Sequence, residues 1–171
     1  MTRNWAGTHE YAAPRIVEVR TEDDVRRAMT GTGRIHALGT RHSFTDLPDT
    51  TGTLLDLAGL EGGFDLRGDE VRVAAGTRYG VLAAWLDERG RALPNLGSLP
   101  HISVAGATAT GTHGSGDANG VLTTSVRGIR FVDGAGEVHE VRRGDPDFAA
   151  LAVGLGAFGV VLSLDLETVP S

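Results

Sequence analysis

Residues 95–116 read NLGSLPHISVAGATATGTHGSG, and fourteen of these twenty-two residues are Gly, Ala, Ser or Thr. Such small side chains bury little apolar surface, so core packing does not account for the run. Apolar residues interrupt it and would anchor it to a core, namely Leu96, Leu99, Ile102 and Val104. A flexible surface loop is the alternative, but the anchors favour a wall whose backbone closely approaches a large flat or phosphorylated ligand.

A second unusual segment, residues 39–44 with the sequence GTRHSF, follows a strand predicted at residues 34–38. Consecutive backbone N–H groups in such a strand-to-loop turn form an anion-binding nest, and Arg41 adds a positive charge. An ordinary polar turn is the alternative interpretation of this string when it is taken alone. The nest interpretation predicts contacts to a phosphate group.

A third glycine-rich segment, residues 154–159, matches the pattern G-x-G-x-x-G with the sequence GLGAFG. In a dinucleotide-binding Rossmann unit this pattern follows a strand, opens a helix and precedes an acidic residue by about twenty positions. Here a strand is predicted to follow directly, over residues 160–168. The context argues against a Rossmann site, and we expect these glycines to turn the chain close beside a strand or a ligand.

The composition excludes several kinds of chemistry. The chain of 171 residues has no cysteine and no lysine, which removes disulfides, thiolate metal sites, P-loop lysines and Schiff bases. The six histidines show no compact metal-ligand spacing and no G-x-S-x-G elbow is present, so we expect neither a metal nor a hydrolytic triad. A net charge of −6 argues against nucleic acid as a partner. Short apolar runs and the lack of a signal peptide's apolar core predict a cytoplasmic protein without a membrane partner.

The predicted elements are short strands interleaved with a few helices. The patterns predict strands at 15–20, 34–38, 53–57 and 160–168, hairpins at 64–74 and 126–142, helices beginning after Thr21 and Thr77, and a short helix at 148–153. This order lacks the regular alternation of strand and helix that builds a doubly wound sheet. We therefore predict an α+β fold that forms one domain over residues 1–171.

Taken together, the motifs resemble the FAD-binding domain of the vanillyl-alcohol-oxidase or p-cresol-methylhydroxylase (PCMH) type of flavoprotein, and within it bacterial alditol and xylitol oxidases. Four strings in the family's order and spacing carry the resemblance: LGTRHSF at 38–44, LPNLGSLPHISVAG at 93–106, TGTHGSG at 110–116 and LGAFGVV at 155–161. The resemblance implies a PCMH-type domain with two small mixed or antiparallel sheets and a few flanking helices.

The same resemblance implies FAD as the cofactor and assigns the residues that hold it. His42 would carry FAD covalently through the flavin's 8α-methyl carbon, a role for which a neutral imidazole is a competent nucleophile. Relatives often have glycine at position 41, so Arg41 is a departure that would either screen phosphate charge or point to solvent. The implied set is Gly39, Thr40, Arg41, His42, Ser43, Ser98, Ser103, Gly106, Thr110, Gly111, Thr112, His113, Gly159 and Val160, the last two near the adenine half.

The resemblance also implies a division of labour. Relatives carry a second large domain that caps the flavin and supplies the polyol-binding and proton-abstracting residues, so we expect no catalytic residue within residues 1–171. The expected activity is that of an alditol-oxidase-like oxidoreductase that acts on CH–OH groups of polyols with oxygen as acceptor, and that binds the polyol only with a second domain or subunit. The alternatives are an aldonolactone oxidase or dehydrogenase, a stand-alone flavin-binding module without turnover, and a lone domain that meets a separate substrate subunit.

Overall fold

A computed structural model describes residues 2–171, and within this range the chain forms ten strands and four α-helices. The strands are β1 (Arg15–Glu18), β2 (Ile35–Leu38), β3 (Thr53–Asp56), β4 (Phe64–Arg67), β5 (Glu70–Ala74), β6 (Arg91–Ala92), β7 (Val126–Val132), β8 (Val138–Arg142), β9 (Val160–Glu167) and β10 (Val169–Pro170). The helices are α1 (Glu22–Met29), α2 (Tyr79–Asp87), α3 (Val104–Thr108) and α4 (Phe148–Ala152), and a 3₁₀ turn covers Leu122–Ser125. None of the helices in residues 2–171 combines the length and apolar character that crossing a membrane requires.

The two longer helices begin in different ways. In α1 the Thr21 hydroxyl accepts a hydrogen bond from the Asp24 amide at 3.2 Å, and the Asp24 carboxylate accepts one from the Thr21 amide at 3.0 Å. This capping box confirms Thr21 as the N-cap. The prediction that Thr77 caps α2 is wrong by one residue, because Arg78 occupies that position. The Thr77 carbonyl oxygen accepts a hydrogen bond from the Val104 amide, so a tertiary contact fixes this corner of the chain.

Two sheets organise the fold. Strand β3 lies between β1 and β2 in a small sheet whose pairings are all parallel, and β4, β5, β9, β7 and β8 form, in that order, an antiparallel sheet. Both predicted hairpins are confirmed as the β4–β5 and β7–β8 pairs. The α+β class is confirmed as well, and the structure adds a short antiparallel pairing of β6 with β10.

The larger sheet has one apolar face and one charged face. On β5 and β9 the apolar residues Val71, Val73, Leu164 and Leu166 are at most 3% exposed and pack in a core with residues of α2, α3 and α4. Arg72 and Asp165 alternate with them and therefore lie on the opposite face. A second core joins α1 and the parallel sheet to the start of β9, which sets the two sheets side by side.

The small-residue segment is fixed to this framework. The amides of Tyr79 and Gly80, at the start of α2, donate hydrogen bonds to the carbonyl oxygens of Ile102 at 3.0 Å and Pro100 at 2.7 Å. The Val104 side chain is fully buried. Ile102 is buried as well, so these two residues anchor the middle of the segment as expected, but the prediction that Leu96 and Leu99 anchor it is wrong, because both side chains are exposed, at 43% and 39%. The packed part continues into α3, a helix that the local sequence patterns did not predict.

Candidate functional site

Ser103 joins the two segments that the sequence analysis singled out. Its amide donates a hydrogen bond to the Thr40 hydroxyl at 3.2 Å, and its side chain is buried. A Cβ atom would lie 2.7 Å from the Ser103 Oγ if added at Gly39 and 2.8 Å from it if added at Gly106. Both glycines therefore pack closely against the Ser103 side chain, and residues 39–43 and 103–106 form one site.

The loop that follows β2 leaves a run of backbone amides unpaired. Arg41 lies in the left-handed region with φ of +62°. Within residues 2–171, the amides of Thr40 to Ser43 have no protein acceptor. Successive unpaired amides around a left-handed residue can converge on an anion. The Arg41 side chain is exposed, and its guanidinium donates to the carbonyl oxygen of Arg3 at 3.4 Å.

The imidazole of His42 lies in an aromatic cluster beside these amides. Its ring centroid is 4.7 Å from that of Trp5, which stacks on it, and 4.6 Å from that of His101. Both ring nitrogens of His42 and the Nε2 of His101 are buried without a hydrogen-bond partner in the described chain. Burial, and then the charge of His101, lower the pKa of His42 below its usual value of 6.5. The ring is therefore neutral near pH 7, with a free lone pair.

The N-terminal segment holds this cluster in place. The Trp5 amide donates to the Arg41 carbonyl oxygen at 2.8 Å, and the Asn4 side chain donates to the Ser43 carbonyl oxygen at 2.9 Å. Asn4 is only 4% exposed. The sequence analysis missed Asn4 and Trp5 because they belong to no periodic element and contact the site only through the tertiary fold. It also left out His101, although His101 stands within the SLPHIS string that it singled out.

The predicted hydroxyl-bearing residues lie at the other end of α3. The Thr110 hydroxyl is 3.2 Å from that of Thr112 and also donates to the carbonyl oxygen of Gly106. Gly111 has φ of +68°, which lets the chain turn there. His113 is exposed with Nδ1 2.8 Å from its neighbour's carbonyl oxygen, and Ser98 is exposed on the facing loop. A helix of five residues spans about 7.5 Å, so these groups extend the site away from Ser103.

Gly159 and Val160 lie in a separate cleft. Val160 is buried in the second core, and a Cβ at Gly159 would overlap the Val132 carbonyl oxygen, which confirms that these glycines turn the chain close beside a strand. The cleft of about 260 Å³ lies between β2 and the glycine turn, with His36 and Phe158 in its wall. The Leu155 amide donates to the Ala109 carbonyl oxygen at 3.3 Å and so links this turn to the end of α3.

These features fit a flavin dinucleotide. Unpaired amides suit a pyrophosphate, and the glycines at 39 and 106 bring the backbones of the two segments together around Ser103. The unpartnered ring nitrogens of His42 supply a nucleophile. The hydroxyls of Thr110 and Thr112 can donate to polar edges of such a ligand. The amides, hydroxyls and imidazole at this site can therefore bind such a ligand and hold it in position.

Comparison with known proteins places the site in a family. The sequence model of a family described as FAD binding domain matches residues 13–142. An alditol oxidase of a Streptomyces species is 39% identical over 173 residues, which cover 98% of this chain and 42% of the relative. An L-gulono-1,4-lactone dehydrogenase of Mycobacterium tuberculosis is 36% identical over 173 residues, with 98% of this chain and 40% of the relative covered. The chain thus spans about two fifths of the length of these curated relatives.

The fold agrees with that match. The crystal structure of a cholesterol oxidase from Brevibacterium sterolicum superposes with a TM-score of 0.81 over 91% of this chain and 34% of that one, at 21% identity. A variant of a cholesterol oxidase from the same organism gives a TM-score of 0.83. Because the family match covers most of the chain and the architecture agrees with it, this chain belongs to the family of FAD-binding domains.

Proposed function

We propose that this chain is the cofactor domain of a flavoprotein oxidase that acts on polyols, with FAD attached covalently to His42. The buried, unpartnered imidazole of His42 beside the unpaired amides of its own loop carries the proposal. When bound, FAD supplies the two-electron acceptor for a hydride removed from a carbinol carbon. The likeness to alditol oxidase supports the polyol assignment.

The loop and the small-residue wall divide the binding between them. We assign the pyrophosphate to the amides of residues 40–43, where Arg41 adds positive charge to the same loop. Gly39, Ser103 and Gly106 form the close-packed part of the wall against which a planar ring can lie. The cleft lined by His36 and Phe158 offers an aromatic side chain, 48% exposed, on which an adenine can stack.

The tether at His42 follows from the state of its ring. A histidine attacks carbon only as the neutral imidazole, and burial keeps His42 in that form. Trp5 and His101 both contact the ring, and its two nitrogens are buried. These contacts restrict the ring to one orientation before the cofactor arrives, which lowers the entropic cost of attachment.

Substrate recognition is assigned to a further domain or subunit. The groups that the fold gathers at the site are glycines, hydroxyls, backbone amides, the Arg41 guanidinium and the imidazole of His42, which can bind and position a cofactor. The relatives are more than twice as long as the matched region, so a substrate-binding part is available in them. We therefore propose that polyol and oxygen chemistry requires that additional part.

Oxidation of an aldonolactone is the second candidate. Relatives named L-gulono-1,4-lactone dehydrogenase and D-arabinono-1,4-lactone oxidase, the latter from Eremothecium gossypii, are each 36% identical to this chain. The substrate-binding part would decide between the two activities. Assays of the longer protein with xylitol and with L-gulono-1,4-lactone separate them by the ratio of the two kcat/KM values.

Acid denaturation tests the cofactor assignment. The chain is expressed with FAD available, precipitated in acid and washed, and the flavin absorbance of the pellet is measured. The wild-type pellet is expected to stay yellow and the His42→Ala pellet to be colourless. His139→Ala is the matched control, because His139 pairs with Asp133 on the surface and should retain the flavin. Wild-type protein that folds yet binds no FAD would contradict the proposal.

A further inference from the structure

His42 and His101 form an unusual pair of titratable side chains. Their ring centroids are 4.6 Å apart with planes tilted by 50°, and three of their four ring nitrogens are buried without a partner in residues 2–171. The fourth nitrogen, the Nδ1 of His101, is not among the buried unpartnered atoms, and no hydrogen bond of the described chain occupies it. One ring of the pair is therefore sealed, and the other is open to solvent at one atom.

The surroundings leave little that can neutralise a charge on this pair. Trp5 stacks over His42 and lies 5.8 Å from His101, and it carries no charge. The neighbouring Arg41 is cationic and directed at the Arg3 carbonyl oxygen. Neither histidine makes an ion pair with a carboxylate of the described chain, whereas His9 and His139 each contact an aspartate.

We propose that His101 is a positioning residue for His42: its ring holds the orientation of His42, and a positive charge on it opposes a second charge on His42, so that His42 stays neutral for cofactor attachment. His101 itself forms no bond to the flavin. This role rests on the proposed tether at His42.

The two rings differ in the burial of their nitrogens. Both nitrogens of His42 are buried without a partner, whereas the Nδ1 of His101 is not among the buried unpartnered atoms. Two positive charges on rings whose centroids lie 4.6 Å apart repel each other. A charge on His101 therefore keeps the lone pair of His42 available over a wider pH range.

Histidine titration in the full chain without flavin tests this directly. Nuclear magnetic resonance of histidine-labelled protein follows the ring signals of His42 from pH 8 to pH 4. His101→Phe keeps the bulk of the ring and removes its charge, so His42 is expected to titrate at higher pH than in the wild type. His101→Arg fixes a positive charge there, so His42 is expected to titrate at lower pH. His139→Asn is remote from the pair and should leave the titration of His42 as it is in the wild type.

Flavin loading provides the second measurement. Suppose that His101→Phe raises the pKa of His42 by half a unit. At a pH below that pKa the neutral fraction of His42 then falls about threefold. Acid-stable flavin incorporation at pH 5.5, relative to that at pH 8, should fall by the same factor. A loss that is equal at both pH values would indicate damage to packing alone and would overturn the proposal.

The two proposals fail in different ways. If wild-type protein takes up no flavin at any pH, the tether is wrong, and the titration curves still decide whether His101 controls the charge of His42. If flavin is retained but His42 titrates at the same pH in wild type, His101→Phe and His101→Arg, the tether stands and the role of His101 is refuted. Dispersed spectra of each variant establish that it has folded.

Discussion

Asp165 and His42 are both largely withdrawn from solvent, and the chain treats their polar atoms in opposite ways. The Asp165 carboxylate accepts hydrogen bonds from Arg72 at 2.7 and 2.8 Å and from Arg142 at 2.9 Å. The imidazole of His42 has no hydrogen-bond partner in the described chain. Buried polar groups left unpaired cost free energy. The Asp165 carboxylate is therefore completed within the fold, whereas the ring nitrogens of His42, beside the unpaired amides of their own loop, remain available to a ligand.

The completed cluster lies on the charged face of the larger sheet. Arg72 also contacts Glu140 at 2.7 Å, and Arg142 contacts Glu70 at 2.6 Å. A Cβ at Gly128 would lie 2.6 Å from an oxygen of Asp165, so the strand opposite carries glycine at the closest point. We give the name arginine–carboxylate cluster to Asp165, Arg72, Arg142, Glu70 and Glu140.

Removing the centre of the arginine–carboxylate cluster should have the largest effect. Asp165→Ala removes the buried carboxylate that the partly exposed Arg72 and Arg142 share, and the loss of these charge-assisted hydrogen bonds should lower the free energy of unfolding by about 2 kcal/mol. Urea denaturation followed by circular dichroism measures the loss. Asp65→Ala is the matched control, because the Asp65 side chain is 50% exposed and its pair with Arg67 should be worth less than about 0.5 kcal/mol. Equal losses of unfolding free energy in Asp165→Ala and Asp65→Ala would contradict the expected difference between the buried and the exposed carboxylate.

The pH dependence of stability should show the same cluster. Burial alone would raise the pKa of Asp165, but the hydrogen bonds and charge of Arg72, followed by the charge of Arg142, hold it below its usual 3.8. The contribution of the Asp165 carboxylate to the free energy of unfolding is therefore complete above its pKa in the unfolded chain. It is lost as the pH falls through its lower pKa in the folded chain. Unfolding free energies measured from pH 7 to pH 2 should fall below about pH 4, and less steeply in Asp165→Ala. Parallel curves would contradict this assignment.

Arg41 provides a smaller test on the cofactor side. A side chain at φ of +62° destabilises the folded chain by about 1–2 kcal/mol. Glycine removes this strain, but it also raises the conformational entropy of the unfolded chain, which offsets part of the gain. Arg41→Gly should therefore raise the free energy of unfolding by about 0.5–1 kcal/mol. Arg78→Gly is the control, since Arg78 is exposed with φ of −84° and should gain nothing. A loss of stability in Arg41→Gly would show that its side chain holds the loop through Arg3.

Replacing His42 should have the smallest effect on stability. His42→Phe keeps an aromatic ring against Trp5 and His101 and removes two unpaired nitrogens, so the flavin-free chain should unfold within about 0.5 kcal/mol of the wild type. Thermal unfolding without FAD measures this. A loss near that of Asp165→Ala would mean that the ring nitrogens of His42 have partners within the fold.

Local sequence signals were sufficient for most of the framework. The capping box at Thr21, the hairpin around Gly68 and Asp69, and the closing strand β9 depend on neighbouring residues, and the structure confirms them. Sequence alone did not predict α3, because Val, Gly and Thr, three of its five residues, disfavour a helix, and the contacts of Ser103 and Val104 hold it in place. It also did not predict that β1, β3 and β2 are all parallel, since strand pairing over long separations depends on the tertiary fold.

The binding site was also only partly predictable from local sequence. Glycine spacing indicated the segments at 39–44 and 95–116, and Ser103 joins them as one site. The contribution of Asn4 and Trp5 depends on a chain segment nearly forty residues away in sequence, and no local pattern reports it. The pairing of His42 with His101 likewise arises from the fold.

Titration of the labelled chain with FAD, followed residue by residue by amide chemical shifts, tests the central claim that the His42 loop and the wall around Ser103 form the binding site. We predict large shifts at residues 40–43, at Ser103 and at Thr110 to His113, with the signals of Arg72, Arg142 and Asp165 unchanged. Shifts confined to the arginine–carboxylate cluster, or no shifts in the loop that carries His42, would contradict the account.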